Sequence, residues 1–169
     1  MPLASIIHHW MTDWTPALPK PVEAIIDIEK SFINLLKSDT ALQNLLGKDN
    51  NGQYPIYHSF VPQKTHMPCV TVETSMERGE TSGLNDSFSV LKRYEWYFAV
   101  IQVDCWSCNS AYERDMLAET VLKCLLKNEV PGAVYVQEPT VLTLDEPKFR
   151  PPIWRKSLRF KVMYILEVT

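Results

Sequence analysis

The chain has 169 residues, 46% of them apolar and 22% charged, with 17 basic against 20 acidic side chains and a formal net charge of −3. That composition belongs to one ordinary globular domain, long enough to bury roughly 70% of its unfolded surface without metal or disulfide staples. It excludes extensive disorder, a membrane-crossing run of roughly 20 apolar residues, and a protein whose main task is gripping phosphates.

Residues 1–21 read as an extended arm. Pro2, Pro16, Pro19 and Pro21 forbid a continuous helix. Trp10 and Trp14 on this arm are large apolar groups that should pack on the domain or on a neighbour. No basic stretch precedes the mildly apolar start, and His8, His9 and Asp13 follow at once, so the start does not read as a secretory signal and a cytosolic setting is expected. Four scattered cysteines (Cys69, Cys105, Cys108 and Cys124) fit that setting better than a disulfide scaffold.

Residues 22–169 read as a single domain. Ile25, Ile28, Phe32, Leu35 and Leu36 recur at helical spacing and predict a helix just after Pro21, with Asp27, Glu29, Lys30, Asn34 and Lys37 mostly on its polar face. Ser38 or Asp39 caps a short second turn ending at Gly47. Short strands follow over 56–61 and 69–74. The polar stretch from Met76 to Leu91, with Gly79 and Gly83, reads as a long hairpin loop. Lys92 to Trp106 is a long strand, apolar on both sides in its middle, and both sides are therefore expected to be covered.

Ser110 and Glu113 form a capping box that opens a helix to about Asn128. Leu117, Val121, Cys124 and Leu125 form its buried stripe, and Arg114, Glu119, Lys123 and Lys127 its solvated face. Two short strands lie over 134–137 and 141–144, then a connector marked by Pro147, Pro151 and Pro152. The last strand runs from Trp154 to Val168, with Leu158, Phe160, Val162 and Tyr164 on one side and Arg155, Arg159 and Lys161 on the other. This order predicts an α+β fold: a mainly antiparallel β-sheet with two principal α-helices packed on one face.

Catalytic signatures are scarce. The chain has no Gly-rich phosphate loop, no Gly-x-Ser-x-Gly and no His-Glu-x-x-His. Cys105-Trp-Ser-Cys108 is the sharpest local pattern, a candidate redox dithiol or half a zinc site. No second Cys-x-x-Cys completes a zinc set, no alternating βαβ pattern supports a dithiol, and the cysteines read better as structural. His8 and His9, with His58 or His66, make poor joint ligands, because neighbours on an extended arm point opposite ways. Glu77 with Glu80, and Asp145 with Glu146, read as charges in polar turns. Arg155, Arg159 and Lys161 either form a solvated strand side or meet an acidic partner surface. No cofactor or metal site emerges.

The segments Leu35 to Leu42, Leu45-Leu46-Gly47, Val61-Pro62-Gln63, Met67 to Val72 and Val100-Ile-Gln-Val-Asp-Cys-Trp-Ser107 with the helix after it resemble, in order and spacing, the tail-completion (tail terminator) proteins of long-tailed bacteriophages. The closing strand from Ser157 to Tyr164 matches in type, and the resemblance covers roughly residues 32–168. The longer arm and the Pro147–Pro152 segment depart from the family pattern. The resemblance implies no enzyme and no cofactor. It implies a virion protein assembled in the host cytoplasm, a homo-oligomeric ring (usually a hexamer) that caps the tail tube, ends its growth and joins the head connector. DNA would pass through without specific binding, and no membrane is involved. Trp10, Trp14, Arg78, Glu80, Arg155 and Arg159 are then candidates for contacts with other subunits or the tail tube. The alternatives are another neck component (a head-completion or connector-adaptor protein), a small dithiol redox protein using Cys105 and Cys108, and an unrelated interaction module.

Overall fold

A computed structural model describes residues 25–59, 67–80, 93–148 and 152–168. The arm with Trp10 and Trp14 lies outside the described residues, as do His8, His9 and His66. Two helices, α1 (Ile25–Ser38) and α2 (Thr40–Leu46), precede the strands β1 (Ile56–His58), β2 (Cys69–Glu80) and β3 (Arg93–Ser107). Helix α3 (Ala111–Lys127) follows, then β4 (Ala133–Val136), β5 (Thr140–Thr143) and β6 (Trp154–Val168). The expected α+β fold is present.

Caps set the helix ends. Asp39 accepts a hydrogen bond from the Leu42 amide, and Gly47, at φ 64°, closes α2 in a backbone region that side chains disfavour. Ser110 accepts from the Glu113 amide at 3.1 Å, but the capping box is only half made. The Glu113 carboxylate turns instead to the Ser107 hydroxyl and to Asn109 Nδ2.

The sheet has the order β1-β2-β3-β6-β4, with β5 also on β6. Strands β2, β3 and β6 pair antiparallel over most of their length, whereas β1 pairs parallel with β2. All three helices pack on one side: α1 against β1 and β2, α3 against β3 and β6, with α2 joining both helices. Their apolar stripes meet Val70, Val72, Ile101, Val103, Leu158, Phe160 and Tyr164, all fully buried. Phe32 meets Phe160 edge to face, with ring centroids 5.7 Å apart.

Five expectations need correction. Met76 to Glu80 is not loop but the second half of β2, paired with Trp96 to Val100 past a bulge at Ser75. Strand β1 stops at His58, because Ser59 turns to φ 67°. Glu29 is buried at the α1–sheet contact rather than solvated, because three donors compensate its carboxylate. Arg114 is also buried: its guanidinium reaches Asp115 at 2.9 Å and Asp145, which offset its desolvation. Finally, only one side of β3 is under the helices; on the other, Phe98 stays exposed and Val100 half-buried.

Candidate interface on the open sheet face

Alternation along β2, β3 and β6 sends every second side chain away from the helices. On β3 these are Phe98, Val100, Gln102, Asp104 and Trp106; across from the last four lie Lys161, Arg159, Ser157 and Arg155 of β6. Thr71 and Glu73 of β2 face Asp104 and Gln102 from the other flank. The open face is therefore polar in its centre, although β3 is otherwise strongly apolar.

Hydrogen bonds tie these groups into one sheet-spanning network. Gln102 Nε2 donates to Glu73 Oε1 and to Asp104 Oδ2, both at 3.1 Å. Arg155 Nη2 donates to Asp104 Oδ2 at 2.5 Å, and the Arg155 guanidinium lies 4.6 Å from the Trp106 ring centroid. Trp106 Nε1 donates to the Thr71 hydroxyl at 3.1 Å. Arg159 Nε donates to Gln102 Oε1 at 2.9 Å. With its amide nitrogen committed to two carboxylates, Gln102 must present oxygen to Arg159, so the chain of partners fixes its orientation. Burial, then the neighbouring Asp104 carboxylate, hold the Glu73 carboxyl above its ordinary range, and Arg155 offsets them only in part.

Arg155 and Arg159, nominated together, have different roles. Arg155 is spent internally on Asp104 and Trp106. Arg159 is exposed; only its Nε is engaged, and both terminal nitrogens are without a partner among the described residues. Lys161 next to it on the strand is exposed and forms no ion pair among them. The backbone of Arg78 pairs with Phe98 and that of Glu80 with Trp96, so both nominated residues sit on a paired strand rather than in a loop. An open notch lined by Ser75, Val100, Thr140, Arg159 and Lys161 lies between the β2 bulge and the break separating β4 from β5.

Gln102, Asp104 and Glu73 were missed. Their signal was present: two polar residues at alternate positions of an otherwise apolar strand mark a buried network on one side.

A second polar contact lies on the helix side. Glu29 Oε2 sits 2.5 Å from His58 Nε2, while Oε1 accepts from the Thr74 amide and hydroxyl. This carboxylate occupies three donors beside the β2 bulge and pins α1 to the sheet. His58 is thereby a structural partner, and no three-residue metal-ligating cluster occurs among the described residues.

Cys105 is not placed as a reactive thiol would be. Cys105 is fully buried in the core, where burial and then the Asp104 carboxylate push its thiol upward. Burial raises Cys69 to about 12, with Cys108 adding to the effect, and Cys124 to about 11. A catalytic dithiol needs a lowered, accessible thiolate, the opposite setting.

No family model matches the chain, and no curated protein matches it. Solved structures do match in fold. One is a chain in the virion of a native gene transfer agent (GTA) particle, with a TM-score of 0.51 and 12% identity, covering 81% of this chain and 93% of that one. No helix among the described residues is long and apolar enough to cross a membrane.

Proposed function

We propose that this chain is a structural component of a virion and acts as a tail terminator. A closed ring of its copies, six in the family it resembles, covers the end of the tail tube, stops its growth and offers a seat to the head connector. The observation that carries this reading is the fold match to a chain of a GTA virion across 93% of that chain's length. The order of motifs along residues 32–168 adds to it.

The mechanism is steric. A polymerising end stays active while each added subunit exposes a surface for the next. A ring whose contacts close on themselves presents no such surface. The long β2–β3–β6 ribbon and the arm bearing Trp10 and Trp14 are the proposed reach toward the tube and neighbouring subunits, with Arg78, Glu80 and Arg159 among the contacts. Arg155 contributes by holding the ribbon's polar network rather than by touching a partner.

The test is addition of purified chain to growing tail tubes, followed by negative-stain imaging and length measurement. Tubes capped at one end, and no longer extending, are expected. Tubes that extend unchanged and carry no added density would refute the reading. Binding to a head connector without binding to tubes would move the chain to a different neck position.

A further inference from the structure

We propose that Arg159 and Lys161 receive a carboxylate from a second copy of this chain, in a heterologous contact seated on the notch of the open sheet face. The inference deepens the assembly reading above and rests on it for the identity of the partner.

The notch is built rather than incidental. A bulge at Ser75 opens the β2 side, and the interruption between β4 and β5 opens the β6 side, so Val100 and Lys161 sit at the floor between two irregular edges. Arg159 enters it in a set orientation: Gln102 takes its Nε at 2.9 Å, and Gln102 is itself buried and held by Glu73 and Asp104. This leaves the two terminal guanidinium nitrogens as a preset fork, a geometry suited to both oxygens of a carboxylate. Lys161 adds a second cation, and the Ser75 and Thr140 side chains line the walls.

The surroundings choose among partners. A nucleic acid brings a continuous row of phosphates, which here would run past the Glu73 and Asp104 carboxylates of the same face. Two cations with no ion-pair partner among the described residues match one carboxylate better than a polyanion. A copy of this chain has acids to spare, 20 against 17 bases. Glu129, Glu138 and Glu146 are exposed and form no ion pair among the described residues. None of these three acids lines the notch. A contact through them joins two different patches, which allows the head-to-tail geometry that closes rings.

The test uses the full chain, as an equal mixture of unlabelled and nitrogen-15-labelled protein, coupled with a zero-length carbodiimide and read by mass spectrometry. A mixed-isotope amide between Lys161 and an Asp or Glu of another copy is expected. K161R should lose that crosslink yet keep self-association, measured by sedimentation velocity. R159Q with K161Q should weaken self-association by roughly ten- to a hundredfold, since hydrogen bonds to charged groups are lost. Retained circular dichroism and melting temperature establish that these exposed substitutions leave the fold intact. Unchanged self-association and salt dependence in R159Q/K161Q would overturn the inference while leaving tube capping untouched. A parent chain that never self-associates, or a duplex DNA oligonucleotide whose binding is lost in the variant, would overturn it too. Tube capping, measured separately, decides the broader reading.

Discussion

The buried Arg114 guanidinium allows a test in which removing acids should cost more than removing the base. Its side chain is 6% exposed, whereas Asp145 is 25% exposed and Asp115 45%. Burial alone would lower the Arg114 pKa, but the hydrogen bonds to Asp145 and then Asp115 outweigh it and hold the group charged. In D145A the guanidinium keeps Asp115 and loses one charged hydrogen bond, a cost of about 1.5–3 kcal/mol. In D115A/D145A a buried cation keeps no acidic partner among the described residues, and the cost rises to about 3–5 kcal/mol. In R114M the acids are the groups left behind, and both reach water. Asp115 also keeps Lys156 at 2.5 Å, and Asp145 keeps the Arg155 amide at 3.3 Å. With an apolar chain of similar length filling the site, R114M should lie within about 1 kcal/mol of the parent. Urea unfolding followed by circular dichroism gives the order through its midpoints, with unchanged slopes confirming a common unfolded state. If R114M were less stable than D115A/D145A, packing of the arginine stem rather than its charge would hold α3 to the segment after β5, and the reasoning would fail.

Three further outcomes follow from the structure. Phe160→Ala empties a fully buried site facing Phe32 and should cost about 3–5 kcal/mol by the same assay, whereas Phe98→Ala, on the open face, should cost far less. Brief treatment of folded chain with N-ethylmaleimide at neutral pH should modify Cys108 alone, since Cys69 and Cys124 are buried with thiols raised to about 12 and about 11 and Cys105 is fully buried with its thiol raised too; rapid labelling at Cys105 would revive the dithiol reading. The Lys156 hydrogen bond, then that of Arg114, lowers the Asp115 carboxyl below its ordinary range, so its stabilising contribution is present above about pH 4 and lost as the pH falls through the folded value; D115N should flatten that part of the acid-unfolding curve, and an unaltered curve would contradict the assignment.

The framework was legible because it depends on periodicity. Ile28, Phe32 and Leu36 on α1, and Leu158, Phe160, Val162 and Tyr164 on β6, are placed by spacing alone, and all are fully buried. Local hydrogen-bond chemistry was legible too, in the Asp39 and Ser110 caps and the Gly47 stop. What escaped depends on partners distant in sequence. Arg114 looks solvated on a helical wheel, and Asp145, 31 residues on, joins its neighbour Asp115 in keeping it inside. Glu29 looks polar-faced until Thr74, 45 residues away, supplies two donors. Met76 to Glu80 lacks the apolar alternation of a strand, yet β3 provides the ladder that makes it one.

The open face follows the same logic and bears on the assembly proposed above. A monomer gains little by placing Gln102 and Asp104 on β3, where apolar side chains would pack more cheaply. Their positions make sense if something must be held in place at the surface, and the exposed end of the network they form is Arg159. Gln102→Leu therefore separates two accounts. If the network only stabilises the fold, an apolar replacement should leave self-association in step with stability. If it presets the guanidinium, association should weaken even where the melting temperature is unchanged or raised, because the fork no longer has a fixed direction.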